Sequence, residues 1–236
     1  MAKGITETGT FYFYNKKKQS IPIVFIHGVG LTYEIWQPQL NYFKEYSTLS
    51  YDILGHGKSK LEKEIITFDD FSNQLITLID ELKIDKIHLV GFSIGSLIAR
   101  DFASKHNERL QSLILLGSIF KRTDEQQKIV NERYNQAKKQ MKLSKQALKR
   151  WFTDEYLKKN PNTYEKISTI LSANNMENFL KVYELFVFHK NNENFDKIKV
   201  NTLVMTGEYD IGSTIQMSQE LNRIIKNSEL KIIKNG

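Results

Sequence analysis

Short apolar stretches alternate with longer amphipathic stretches along most of the chain. The short ones are rich in β-branched and aromatic residues, as strands are, and the longer ones repeat apolar residues at helical spacing. Strands are predicted at residues 10–14, 21–26, 48–53, 86–90, 113–116, 200–205 and 230–233. Helices are predicted at residues 35–46, 67–82, 93–105 and 214–226. This order predicts an α/β protein with a doubly wound, mostly parallel sheet.

Local signals refine two of these predictions. Thr67 and Asp70 have the spacing of a capping box, which predicts the start of the second helix. A polar turn at residues 15–20 separates the first two predicted strands. This arrangement predicts a hairpin that leads into a buried strand.

The alternation stops after Ser118. Residues 119–195 are rich in Lys, Gln and Asn with scattered aromatic residues, and they predict several helices, with Pro161 at a break or a helix start. We therefore predict a core formed by residues 1–118 and 196–236 and a helical cap formed by residues 119–195. Residues 121–199 contain 17 Lys and Arg against 10 Asp and Glu, which accounts for the whole net charge of +7.

Composition excludes several classes of site. The absence of cysteine among the 236 residues rules out disulfides, iron–sulfur clusters and cysteine-based zinc sites. The N-terminus lacks the apolar core of a signal peptide, and a cytoplasmic protein without a membrane partner is expected. Lys far outnumbers Arg among the 34 basic residues, which favours compositional bias over a phosphate-binding surface. No nucleic acid, metal or cofactor is expected.

One motif carries most of the chemical information. Residues 91–95 read GFSIG, which satisfies G-x-S-x-G, and they lie between a predicted strand and a predicted helix. A sharp turn from strand to helix strains the serine backbone, and small flanking residues let neighbouring chain segments approach closely. The motif therefore predicts that Ser93 is exposed at the carboxyl edge of the sheet as a nucleophile.

With this motif the chain resembles α/β-hydrolase-fold proteins from about Thr10 onward. HGVG at residues 27–30 is similar to the HG-containing oxyanion loop of that family. DILGHGKS at residues 52–59 is similar to its D-x-x-G-x-G-x-S turn, and TGEYD at residues 206–210 is similar to the segment that carries its catalytic acid. Together with Trp36, these landmarks look most like small bacterial esterases and 3-oxoadipate enol-lactonase-type enzymes.

The resemblance implies a role for each matching residue. Ser93 would be the nucleophile, and the backbone N–H groups of Val29 and Ile94 would form the oxyanion hole. Asp210 would orient the catalytic histidine, with Glu208 as the second candidate. A turn or helix-cap aspartate is the alternative interpretation of Asp210.

The histidine is the exception to the pattern. In this family it follows the final strand, but all five histidines of the chain precede Asp210. His27 and His56 are expected to hold turns, His88 lies in a predicted strand, and His106 closes a helix. His189, at the end of the insertion, is the one histidine placed to reach the site from above, but we expect it to be a solvated cap residue. We therefore expect a sequence cut short just before its catalytic histidine, and an impaired enzyme in the chain as it stands.

These residues together predict a cofactor-free serine hydrolase. It would cleave a small-molecule carboxylic ester or lactone through an acyl-Ser93 intermediate, and the basic cap could steer an anionic substrate toward the site. A carbon–carbon bond hydrolase and a cofactor-free haloperoxidase use the same residues and stay open as alternatives. A non-catalytic ligand-binding or interaction protein on the same fold is the hypothesis from a different class.

Overall fold

An eight-stranded, mostly parallel sheet runs through the molecule. The computed structural model describes residues 2–18, 20–141 and 151–236. Within them the strand order is β1-β2-β4-β3-β5-β6-β7-β8. All neighbours from β4 to β8 are parallel, whereas β1 and β2 are antiparallel additions at one edge. The strands are β1 (Ala2–Ile5), β2 (Phe11–Asn15), β3 (Ile23–Ile26), β4 (Thr48–Tyr51), β5 (Ile87–Phe92), β6 (Leu110–Leu116), β7 (Thr202–Gly207) and β8 (Ser228–Ile233).

The prediction of a hairpin between the strands at residues 10–14 and 21–26 is wrong. β2 pairs antiparallel with β4, and β3 lies on the far side of β4, between β4 and β5. The actual hairpin joins β2 to β1, a strand that the sequence analysis missed. Three of the four residues of β1 are exposed, so the strand lacks the apolar alternation that indicates a half-buried strand.

Helices cover the sheet and extend between β6 and β7. A 3₁₀-helix (Tyr33–Trp36) precedes the helix Gln37–Tyr42, so the predicted helix at residues 35–46 is shorter than expected. Pro161 lies directly before the helix Asn162–Ser172, which confirms a helix start there. Among the described helices, none is both long and apolar enough to cross a membrane. The helices are α1 (Gln37–Tyr42), α2 (Phe68–Glu81), α3 (Ile94–Lys105), α4 (Asp124–Gln140), α5 (Asp154–Lys159), α6 (Asn162–Ser172), α7 (Met176–Val187) and α8 (Ile215–Ile224).

The core lies between the sheet and helices α2, α3 and α8. The capping box of α2 forms as predicted, because the backbone N–H of Thr67 donates to Asp70 Oδ2 at 2.8 Å. Helix α3 is buried along most of its length and packs against β3, β5 and β6. Its side chains at Leu97, Ile98 and Phe102 are fully buried. Because α3 follows β5 directly, this packing holds the strand–helix junction rigidly in place.

Loops after β3, β5 and β7 meet at the carboxyl edge of the sheet. These strands are parallel, so their carboxyl ends lie on the same side. The loop after β3 also contacts the helices between β6 and β7: Asn174 Nδ2 donates to the carbonyl oxygen of Gly30 at 2.8 Å. The chain segments with candidate chemistry therefore converge at one place.

Candidate active site

Ser93 occupies a strained turn between β5 and α3. Its backbone has φ 57° and ψ −120°, a conformation that residues other than glycine rarely adopt. The two flanking positions have room only for glycine, because a side chain there would collide with neighbouring backbone atoms. A Cβ atom at Gly91 would lie 2.2 Å from the carbonyl oxygen of Gly95, and one at Gly95 would lie 2.5 Å from that of Ile26. The predicted strand–turn–helix setting of the GFSIG motif is confirmed.

Two backbone N–H groups beside this turn are available as hydrogen-bond donors. Ile94 is the first residue of α3, so its N–H has no acceptor within the helix. Val29 lies in the loop after β3, and its N–H makes no hydrogen bond to another group in the described part of the chain. Such donors can stabilise negative charge that develops on a carbonyl oxygen.

His27 and His56 hold the loops around Val29, as the sequence analysis predicts. His56 Nε2 accepts a hydrogen bond from the N–H of Gly30 at 2.8 Å, and His27 Nε2 accepts one from the N–H of Ile53 at 3.1 Å. Both rings are therefore neutral and carry their proton on Nδ1. Burial lowers the pKa of His27 to about 3, with a further contribution from His56, and burial lowers the pKa of His56 to about 4.

Asp52 joins the turn after β4 to the segment that follows Val29. Its Oδ1 accepts a hydrogen bond from the N–H of Tyr33 at 2.8 Å, and its Oδ2 accepts one from the N–H of Lys58 at 2.9 Å. Ser59 Oγ donates to the carbonyl oxygen of Asp52 at 2.6 Å. Burial raises the pKa of this carboxyl to about 6, although the hydrogen bonds oppose that shift. The D-x-x-G-x-G-x-S turn is thus a scaffold for the site.

Asp210 lies in the loop after β7. Its Oδ1 accepts hydrogen bonds from the N–H groups of Gly212 and Ser213 at 2.8 and 2.9 Å. Its Oδ2 accepts one from Ser213 Oγ at 2.6 Å. These contacts are those of a turn aspartate, the alternative interpretation of this residue. Asp210 is also half-buried and lines a cavity. Ser213, which orients this carboxylate, escaped the sequence analysis because it belongs to no motif.

Ser93, Val29 and Asp210 line one cavity of about 1240 Å³. The loops after β3, β5 and β7 form its floor, and helices α4, α6 and α7 contribute to its walls. Gly236 lies in the same cavity, where its carbonyl oxygen accepts a hydrogen bond from the N–H of Tyr209 at 2.6 Å. Glu208 is exposed and does not line the cavity, so Asp210 and not Glu208 shares the cavity with Ser93.

The five histidines all lie elsewhere in the structure. None of them lines the cavity within the described ranges, and Ser93 Oγ makes no hydrogen bond to any described residue. His88 lies in β5, where its Nδ1 contacts Ser112 Oγ at 2.7 Å, and His106 follows α3.

The prediction that His189 is a solvated cap residue is wrong. Its side chain is 4% exposed and contacts Glu193 Oε1 at 3.1 Å, and its ring packs against Phe68. Glu193 also forms an ion pair with Arg100 at 2.6 Å. His189 is therefore enclosed by the carboxylate of Glu193 and the ring of Phe68.

Comparison with known proteins extends these observations. Residues 21–140 match the family described as alpha/beta hydrolase fold. The chain belongs to the α/β-hydrolase family. Its order of strands, its strained serine turn and its loop after β3 are consistent with that membership, and the expectation of an esterase or lactonase type is confirmed by its relatives.

Two curated relatives come from Acinetobacter baylyi. This hydrolase is 28% identical to (E)-2-((N-methylformamido)methylene)succinate hydrolase over 228 residues, 94% of this chain and 85% of the relative. It is 25% identical to 3-oxoadipate enol-lactonase 2 over 213 residues, 90% of this chain and 80% of the relative. Its fold is similar to the crystal structure of the enol-lactonase from Burkholderia xenovorans LB400. That similarity has a TM-score of 0.83 at 21% identity and covers 98% of this chain and 91% of the other.

Proposed function

We propose that this hydrolase cleaves a carboxylic ester or lactone through an acyl-Ser93 intermediate. The observation that carries the proposal is the strained backbone of Ser93 at the floor of a cavity that it shares with Val29 and Asp210. Strain of this kind costs free energy, and it persists where the surrounding structure enforces it, most often at functional sites. The enol-lactonase relative acts on a lactone, which fits this reaction class.

In the proposed reaction, Ser93 Oγ attacks the substrate carbonyl carbon while a base removes the hydroxyl proton. The N–H groups of Val29 and Ile94 donate to the resulting oxyanion. The carbon–oxygen bond to the leaving group breaks, and the base returns the proton to the leaving oxygen. Water then attacks the acyl-Ser93 carbonyl by the same route, which releases the acid and restores Ser93.

We propose that Asp210 orients the base of this reaction by accepting a hydrogen bond from it. None of the five histidines lines the cavity in the described ranges, so the structure brings no histidine to Ser93. Without a base at Ser93, the rate should be lower by several orders of magnitude.

We also propose that residues 119–195 act as a cap that shapes substrate choice. Helices α4, α6 and α7 supply part of the lining of the cavity, and Leu171 and Phe179 lie so close to Gly30, beside Val29, that a Cβ atom there would come within 2.9 and 3.2 Å of them. A substrate would therefore touch cap residues while its carbonyl lies at Ser93.

Labelling with a fluorophosphonate probe tests the nucleophile. We expect slow labelling of the chain and no labelling of its Ser93→Ala variant. The matched control is Ser172→Ala, because Ser172 is exposed on α6 and bonds only within its helix. The control should label like the unmodified chain.

The rate of labelling tests the base. Because no histidine lines the cavity in the described ranges, we expect labelling far slower than that of a serine esterase with a complete catalytic triad. Labelling at an equal rate would contradict this expectation. Absence of labelling, with folded protein by circular dichroism, would contradict the hydrolase mechanism and favour a ligand-binding protein on this fold.

A further inference from the structure

The charged side chains that line the cavity are nearly all cationic. Arg122, Arg133 and Lys166 line it, and Asp210 is the one acidic side chain that does so among the described residues. Asp210 is already engaged by the loop that contains Gly212 and Ser213. The side chains that line the cavity shared with Ser93 therefore carry an excess of positive charge.

The basic residues of α4 separate into two sets. Arg133 lies on the face that lines the cavity, whereas Lys128, Lys138 and Lys139 are exposed and do not line it. The cavity face of α4 consists of Gln126, Ile129, Val130, Arg133, Gln136, Ala137 and Gln140. The lysines thus fit the compositional bias expected of a solvated surface. Arg133 is different, because it stands among apolar and amide side chains facing the cavity.

Arg133 has no protein partner in the described ranges. It is half-buried, and it forms neither a hydrogen bond nor an ion pair with any described residue. A guanidinium group presents its N–H donors as a planar fork that matches the two oxygens of a carboxylate. A partly desolvated arginine without a counterion, facing a cavity, is suited to bind an anionic group of a ligand.

Arg122 adds a second, fixed positive charge. Its Nη1 donates to the carbonyl oxygens of Val187 at 2.9 Å and Phe186 at 3.3 Å, and its guanidinium lies over the ring of Phe186. These contacts hold Arg122 at the end of α7 without neutralising its charge. Burial lowers the pKa of Arg122 to about 10, so it remains protonated at neutral pH.

We propose that the substrate is an ester or lactone that also carries a free carboxylate, which Arg133 binds and Arg122 attracts. This inference rests on the proposed function of Ser93 and names the class of substrate for the same cavity. Apolar side chains such as Ile129, Val130 and Ile167 would contact the carbon chain between the reacting carbonyl and the carboxylate. The negative charge would be held at the cap, away from the carbonyl that Ser93 attacks.

A matched pair of substrates tests the proposal. The mono-p-nitrophenyl ester of glutaric acid carries the carboxylate, and p-nitrophenyl butyrate lacks it. Arg133→Gln should lower kcat/KM for the glutarate ester by about tenfold to a hundredfold, the range of a lost charge-assisted hydrogen bond, and leave the butyrate ester within about threefold. Lys138→Gln, on the exposed face of α4, is the control and should leave both values unchanged. An equal loss on both substrates would contradict the proposal.

A binding measurement separates this proposal from the proposed reaction. The Ser93→Ala chain cannot form an acyl-enzyme, yet it should bind glutarate more tightly than the neutral glutaric diamide in calorimetry. Adding Arg133→Gln should weaken glutarate binding at least tenfold, whereas Arg133→Lys should retain part of it because the charge remains. Binding of the two probes with equal affinity would overturn the carboxylate site, even if Ser93 proves to be the nucleophile.

Discussion

Two buried histidines show how single residues determine the shape of the loop after β3. His27 and His56 accept backbone hydrogen bonds only while neutral, because a protonated imidazole has no acceptor nitrogen. Their folded-state pKa values of about 3 and about 4 lie below the value of about 6.5 expected for the unfolded chain. The unfolded chain therefore binds more protons between these values, and stability is lost as the pH falls through that window.

This linkage predicts that the free energy of unfolding decreases between pH 7 and pH 4.5. Asp52 has the opposite effect on stability, because burial raises its pKa to about 6 and the folded chain therefore binds this proton at a higher pH than the unfolded chain does. The combined effect of the two histidines on the free energy of unfolding is larger. In urea titrations, His56→Gln should give a shallower dependence on pH, because it removes one of these groups and keeps a side-chain acceptor. His106→Gln, at the half-buried end of α3, is the control. An unchanged slope in His56→Gln would contradict the assignment.

At the scale of elements, Arg100 joins α3 to both chain segments that connect the sheet to α4–α7. Arg100 is fully buried; its Nη1 donates to the carbonyl oxygen of Ile119 at 2.8 Å, before α4. Its Nη2 pairs with Glu193 and donates to Asn191 Oδ1 at 3.2 Å, after α7. Burial alone would raise the pKa of Glu193, but His189 and the charge of Arg100 lower it to about 2.

We expect Arg100→Met to lower the free energy of unfolding by about 3–5 kcal/mol, because it removes the guanidinium that neutralises the buried carboxylate of Glu193. The control, Lys159→Met, breaks an exposed pair with Glu155 on α5 and should cost about 1 kcal/mol or less. The double variant Arg100→Met with Glu193→Leu should recover part of the loss, since neither charge remains. Chemical denaturation measures all three. A loss in Arg100→Met no larger than that of the control would contradict this account.

For the whole molecule, the uneven distribution of charge should affect catalysis. The net charge of +7 arises within residues 121–199, the segment that contains the cavity-lining Arg122 and Arg133. Raising the salt concentration from about 20 mM to about 500 mM shortens the distance over which these charges act to about 4 Å. We expect kcat/KM for the glutarate ester to fall severalfold over this range, while that for the butyrate ester stays constant. Parallel responses of both esters would show that the charge does not act on the substrate.

The sequence by itself determined the features that depend on local backbone geometry. Gly91, Ser93 and Gly95 predict the strained turn because only glycine fits the close backbone contacts on either side. The capping box at Thr67 and most strands and helices also followed from residue type and periodicity. The family landmarks then indicated which loops would meet at the carboxyl edge of the sheet.

Tertiary structure alone decided the features that depend on neighbours distant along the chain. β2 pairs with β4 and not with β3, since antiparallel pairing depends on the free edge that β4 offers. His189 is buried because it packs against Glu193 and Phe68, and Arg133 faces the cavity because α4 packs against α7. Periodicity shows that a residue lies on one face of a helix, but the packing partners decide which face meets solvent and which lines a site.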